Sequence, residues 1–339
     1  MNREKSKLYL RRGKAVLNYF FRAASLMLAA SALAYILVSL SPIDPVQQYI
    51  RAAGPVSQER QAALRAYWGL NEPPVKRYFL WLKAFLQGNP GMSILYRAPV
   101  AEIVRDRFMN TLVLMAAAWL CAGLIGFLLG CLMGVNKGRL LDRVLRRLCL
   151  ILSSVPTFWI GLLFLMVFSV WLKWFPLGLS TPVGILNQEV TLAQRIHHLI
   201  LPAVTLSFTS FSNIALHTRE KLVGVMGSNY VLFARARGET EGQIVRRHGL
   251  RNILLPAVTL QFSSFAELFG GSVLAENVFS YPGLGSAVSA AGLNSDVPLL
   301  LAITVVSTLF VFVGNSIANL IYLLVDPQIK LTGEEARDV

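Results

Sequence analysis

The side chains able to do chemistry in this chain are gathered in one polar stretch and then scattered singly through apolar runs. The stretch is residues 228–257, SNYVLFARARGETEGQIVRRHGLRNILLPA, where Arg235, Arg237, Arg246, Arg247 and Arg251 stand against only Glu239 and Glu241. Arginines at that density bind anions, either lipid phosphates or the carboxylates of a partner, and do not by themselves make a catalyst. The isolated groups are Glu267, the Ser210 and Asn213 region with its neighbours Thr205, Ser207, Thr209 and Ser212, then Asn315 and Asn319, and His197 beside His198. A carboxylate such as Glu267, set in an apolar run, costs on the order of 3 kcal/mol to insert in a membrane, so it must face a cavity or a partner. Asn315 and Asn319 are four apart and share a helical face, which suits interhelix contacts or a polar pathway. Adjacent histidines on a helix point in different directions and make a poor metal pair.

Catalytic signatures are missing. The only Gly-Lys pair, Gly13-Lys14, lacks the preceding glycine and the following hydroxyl of a phosphate loop, and there is no HExxH, GxSxG or SxxK. The chain therefore reads as a non-enzyme with no cofactor of its own, with a stand-alone transporter or a membrane-embedded enzyme as the lesser alternatives. With 339 residues, 55% hydrophobic and 15% charged, it is too apolar for an ordinary soluble domain and reads as an integral membrane protein. Its net charge of +14 lies in short segments flanking apolar runs, so anionic lipid accounts for it and nucleic acid does not. Cys121, Cys131 and Cys149 lie in or beside apolar runs with no metal-site spacing, and read as small packing residues.

The elements that must position these groups follow from hydropathy. A basic N-terminus over residues 1–22 precedes a first span at 23–43, longer than a signal-peptide core and so read as uncleaved. Residues 44–107 form a proline-punctuated external region with short helices expected at 60–68 and 78–86. Further spans are expected at 108–135, 148–172 with a kink at Pro156, 196–218, 252–271 and 297–325, within a core that runs from 108 to 339. Trp171 and Trp174 are placed like an interfacial belt. The charge distribution on the short loops gives an all-α membrane protein with six transmembrane helices and both termini cytoplasmic. Within the polar stretch, Tyr230, Phe233 and Ala234 are spaced to share a helical face, Gly238 can end that helix, and 244–250 allows a second one. A helix, a turn and a helix are thus expected across the membrane surface.

The polar stretch also has the form Y-V-x-x-A-R-x-x-G, then a basic helix, then R-N-x-x-x-P, carried by Tyr230, Val231, Ala234, Arg235, Gly238, Arg251, Asn252 and Pro256. In order along the chain stand Gly88-Asn89-Pro90-Gly91 with Ser93, Pro99-Val100, Arg107 with Thr111-Leu112, and Ser154-Val155-Pro156. They are followed by Val278-Phe279 with Pro282-Gly283-Leu284-Gly285, and by Asp326-Pro327. In these motifs the chain resembles the membrane-spanning permease subunit of binding-protein-dependent ABC importers, in the branch that carries dipeptides, oligopeptides and nickel. It departs from the pattern at Ile43, Met109-Asn110, His217, 294–298 and Asn319.

The resemblance implies a type I importer permease fold and a coupling element over 228–251, with Tyr230, Phe233, Ala234, Arg235, Gly238 and Arg251 meeting the ATPase. It also implies the partners: a second homologous permease, two ATPase subunits that carry ATP and Mg, and an extracytoplasmic binding protein. Physically, a permease with no ATP site must receive force through a rigid cytoplasmic element, where Ala234, Ala236 and Gly238 would allow close approach and Tyr230 and Phe233 would anchor. Glu267, Ser210, Asn213, Asn315 and Asn319 are the candidate pathway residues. Glu276 and Asp296, near the expected outer mouth, are candidates for an external gate or binding-protein contact. The run Glu267-Leu268-Phe269-Gly270-Gly271 followed by Glu276-Asn277-Val278-Phe279, with Arg246-Arg247-His248, is similar to nickel permeases, which places nickel or a metal chelate first and peptide second as cargo.

Overall fold

The computed structural model describes residues 2–41, 44, 46–47, 49–50, 54, 57–67, 69–185 and 189–325, with the backbone alone for 2–17, 67 and 322–325. The end of the expected first span, Asp326-Pro327 and the C-terminal tail lie outside the described residues. In chain order the helices are α1 (Asn2–Ser39), α2 (Gln58–Tyr67), α3 (Pro74–Leu86), α4 (Val100–Val135), α5 (Leu140–Ser154) and α6 (Thr157–Phe164), which continues as a π turn over Leu165–Trp171. They continue with α7 (Leu192–Met226), α8 (Asn229–Ala236), α9 (Glu241–Ile244) with a π turn over Val245–Gly249, α10 (Leu250–Ser263), α11 (Phe265–Val278), α12 (Leu284–Leu293) and α13 (Val297–Val325). Among the described residues, four helical stretches are long and apolar enough to cross a membrane, Asn18–Ser39, Val100–Val135, Leu192–Met226 and Val297–Ile321, and two bent pairs raise the number to six if each is one span. The fold is all-α, as the hydropathy requires.

Proline explains one bend and not the other. Between α5 and α6 the axis turns by 107° at Val155-Pro156, where the ring denies the helix a donor. Between α10 and α11 it turns by 52° at Ser264, while Pro256 sits inside α10. The expected fifth span is therefore longer and broken: helix begins at Glu241 and ends at Val278.

Contacts divide the chain into two compact units, Met1–Phe108 with Ser286–Phe312, and Met109–Gly285 with Val313–Val339. In the first, α1 meets α3 through polar contacts: the Ser31 and Tyr78 hydroxyls lie 2.9 Å apart, and Tyr35 Oη donates to Pro74 O at 2.8 Å. In the second, α7 is the axis on which α5, α6, α10 and α11 pack. Its 35 residues reach about 50 Å, well beyond a hydrocarbon core of about 30 Å, so the helix must extend past the apolar layer. Thr191 begins α7 with a capping box to Gln194.

Glycines set the α4–α7 contact. A Cβ on Gly126 would come within 2.8 Å of Phe211 O, and one on Gly130 within 2.7 Å of Ala215 O, so only glycine lets the backbones approach this closely. Gly134 repeats the arrangement against Leu222. The spacing of four is the small-residue stripe that drives helix association where no hydrophobic effect operates.

Candidate functional site

The polar stretch folds as a helix, a turn and a helix, because its sequence supplies a stop and a start in succession. After α8 the chain takes a positive φ of 84° at Gly238, and Glu239 N reaches back to Ala234 O at 3.2 Å. No atom lies within 4 Å of a Cβ built at Gly238, so the backbone conformation, and not space, requires glycine there. Thr240 then caps α9: its hydroxyl accepts from Gln243 N at 3.4 Å, while Gln243 Oε1 accepts from Thr240 N at 2.9 Å. Such a box contributes about 1 kcal/mol.

Val231, Ala234 and Ile244 form a small buried core, with Val225 and Met226 packed against it. Tyr230, Leu232 and Phe233 project outward, 47%, 66% and 67% exposed. This corrects the expected face: Ala234 is 4% exposed and turns inward, away from Tyr230 and Phe233. An eight-residue helix needs one buried stripe to hold it, and Val231 with Ala234 supplies that stripe. Gly249, also buried, rests on Leu222 of α7 and ties the element to the long helix.

Charges in the element are paired along its surface. Arg235 donates to both carboxylate oxygens of Glu241, at 2.8 and 3.2 Å, across the Gly238 turn, and that hydrogen bonding holds the guanidinium pKa above its usual value. Glu239 Oε2 lies 3.5 Å from His248 Nε2 and 3.9 Å from Arg247 Nη1. Asn252 Nδ2 donates to His248 O at 2.8 Å and to Tyr230 Oη at 3.3 Å, which fixes the tyrosine ring. Arg251 is exposed.

A second ion pair at this end of the bundle was not foreseen from the sequence. Asp142, 2% exposed in the first turn of α5, accepts from Arg219 Nε and Nη2 of α7 at 2.5 and 2.7 Å and from Gly138 N at 2.8 Å. The lone acid of a basic loop gave the only available signal. The pair braces α7 just ahead of the polar stretch.

The pathway candidates are not brought into one contact. Glu267 is exposed in the first turn of α11, directly after the bend, with no ion pair among the described residues. Asn315 and Asn319 are exposed on α13 and Asn213 is half-buried on α7. Ser210 is buried, which removes it from any open lining in this conformation. Nearby, Ser207 and Ser212 donate to the carbonyls of their own helix, Val204 O and Phe208 O, at 2.7 and 2.8 Å. His197 and His198 bond separate backbone carbonyls, Trp174 O at 2.8 Å and Gly178 O at 2.9 Å, and so hold the preceding loop.

Glu276 and Asp296, the candidates for an external gate or binding-protein contact, are both fully buried. Thr111 Oγ1 donates to Glu276 Oε1 at 2.7 Å and accepts from Leu284 N at 2.8 Å, and Gly283 packs directly on the Glu276 carboxylate. Burial, with the Glu276 charge alongside, pushes the neighbouring Tyr281 phenol up to about 12. Asp296 accepts from Ser93 Oγ and, at 3.0 Å, from Leu95 N, while its other oxygen accepts from Leu299 N at 3.3 Å at the start of α13. Burial pushes the Asp296 carboxyl above the usual carboxylate range against these hydrogen bonds. Both carboxylates are internal clasps between segments distant in sequence.

Residues 126–331 match the family described as the binding-protein-dependent transport system inner membrane component. Over 306 residues the chain is 35% identical to the oligopeptide transport system permease protein AppB of Bacillus subtilis (strain 168), covering 90% of this chain and 95% of that one. It is 33% identical over 305 residues to the glutathione transport system permease protein GsiC of Salmonella choleraesuis (strain SC-B67), covering 90% and 94%. It is 32% identical over 320 residues to the probable peptide ABC transporter permease protein y4tP of Sinorhizobium fredii (strain NBRC 101917 / NGR234), covering 94% and 99%.

Proposed function

The chain belongs to the family of binding-protein-dependent transport system inner membrane components, and from that premise we propose that it is one of two permease subunits of a di- or oligopeptide importer. It is a multi-pass transport component and not an enzyme. In this reading a second, homologous permease completes the path and an external binding protein delivers cargo. Two separate ATPase subunits bind ATP with Mg and drive the cycle. The basic N-terminus, the C-terminal tail and residues 228–251 lie on the cytoplasmic side and 44–107 outside, an orientation supported by the lysines and arginines of the short loops.

One observation carries the coupling role: the apolar crest Tyr230, Leu232 and Phe233 stands outward on a folded unit whose own core is satisfied behind it. Exposed aromatic and aliphatic anchors in a polar surround suit insertion into a partner's groove. Gly238 sets the turn, Arg235 stands exposed at its edge to meet the partner, and Arg251 faces the partner or lipid. Glu267, Asn213, Asn315 and Asn319 are assigned to the path shared with the second permease, supported by the exposure of a carboxylate within an apolar run.

Peptide is preferred to nickel as cargo. The relatives bear the names of oligopeptide, peptide and glutathione permeases. The nickel-like run also loses force, because Glu276 is a buried clasp and not a group facing cargo. The test is reconstitution with cognate partners in proteoliposomes. ATP-dependent uptake of labelled di- and oligopeptides is expected; uptake of nickel with no peptide uptake contradicts the assignment.

A further inference from the structure

A hollow of about 610 Å³ opens between the last turns of α7 and residues 253–263 of α10, within the second unit. Its α7 wall presents His217 and Lys221, four residues apart and so on one helical face, both exposed and with no ion pair or hydrogen bond among the described residues. Between them Thr218 lines the same hollow, 3% exposed, with Oγ1 lacking a hydrogen-bond partner among the described residues. Its Cβ and methyl group pack on Gly130, which leaves the hydroxyl as the substituent turned from α4. A buried hydroxyl without a partner is costly, and turning it toward a ligand oxygen in the hollow would recover that cost. The α10 wall presents Thr259 and Ser263, again four apart. Their hydroxyls already donate to Leu255 O at 3.0 Å and Leu260 O at 2.8 Å, so only their acceptor lone pairs remain for a ligand.

One wall therefore offers cation and hydroxyl donors, and the facing wall offers acceptors. That pairing fits a carboxylate joined to an N–H group, which is the C-terminal end of a peptide, and it repels a bare metal cation. Lys221 lies seven residues before Ser228, about 10 Å along the helix from the coupling element. We infer that His217, Thr218 and Lys221, facing Thr259 and Ser263, form a subsite for the C-terminal carboxylate of the cargo on its way past the coupling end of the bundle. This rests on the peptide reading given above.

The test uses the complete transporter in proteoliposomes, supplied with a labelled peptide and with the same peptide carrying a C-terminal amide. The readout is the ratio of the two uptake rates in each variant, divided by the wild-type ratio, so that selection by the external binding protein cancels. Lys221→Gln, alone or with His217→Gln, is expected to lower the acid-to-amide ratio about tenfold, the effect of losing a charge-assisted hydrogen bond, and Lys221→Arg to retain it. An unchanged ratio overturns the subsite even if both rates fall. A change seen only in vesicles containing anionic lipid, and absent in neutral phosphatidylcholine, assigns the hollow to a lipid headgroup and overturns it too. Failure of the wild type to take up either peptide overturns the peptide reading and the subsite with it.

Discussion

At residues 228–251 Tyr230, Leu232 and Phe233 are outside and Arg235 pairs with Glu241 across the surface, whereas around Thr111, Glu276 and Leu284 a carboxylate is fully inside and hydrogen-bonded. Both regions are dense in the residues that carry the family pattern. The structure separates them by burial. A candidate residue kept exposed at a cost in solvated apolar area is open to a partner elsewhere, and one that is buried has its contacts within the chain. Tyr230 and Phe233 are of the first kind. Ala234, Glu276 and Asp296 are of the second.

Substitutions should sharpen this division. The largest effect is expected from Glu276→Ala, which leaves the Thr111 hydroxyl without its acceptor and opens space beneath Gly283. Loss of a buried hydrogen-bonded group costs about 2–4 kcal/mol, so a fall in thermal stability and in assembled yield is expected, with Glu276→Gln retaining most of both. Normal stability in the alanine variant, with defective delivery from the binding protein, would return Glu276 to the gate. The smallest effect is expected from Arg235→Gln. The Arg235–Glu241 pair is solvent-exposed and screened, so the unfolding midpoint should not move, and any loss should appear in ATPase affinity, most clearly at low salt. A clear drop in the midpoint would make that pair a structural strut like Asp142–Arg219.

The spans were legible because long uncharged runs have few alternatives in a chain this apolar. Helix ends were not. Val100–Val135 starts eight residues before the expected span, since the charged turn at Glu102, Arg105, Asp106 and Arg107 contains nothing that stops a helix, although it ends the apolar run. The expected fifth span runs through Pro256 as α10 does, while the break at Ser264 has no proline to announce it. The helix, turn and helix of the coupling stretch could be read from Gly238 and the following threonine, because both are local signals. The inward turn of Ala234 could not, as it depends on Ile244 ten residues on. The burial of Glu276 and Asp296 depends on Thr111 and Ser93, at sequence separations of 165 and 203, which no local pattern reports. The glycine stripe at Gly126, Gly130 and Gly134 was visible in its spacing and passed unread.

The central claim is that residues 228–251 meet the ATPase through their exposed crest and not through their buried stripe. Single cysteines at positions 230, 232 and 233, and at 231 and 234 as buried counterparts, give the most direct measurement, in a background with Cys121, Cys131 and Cys149 replaced by serine. In membranes containing the whole complex, thiol cross-linking to the ATPase subunit should occur from Tyr230→Cys, Leu232→Cys and Phe233→Cys and should change with ATP. Val231→Cys and Ala234→Cys should stay unlinked. Equal cross-linking from both sets, or from neither, would contradict the account.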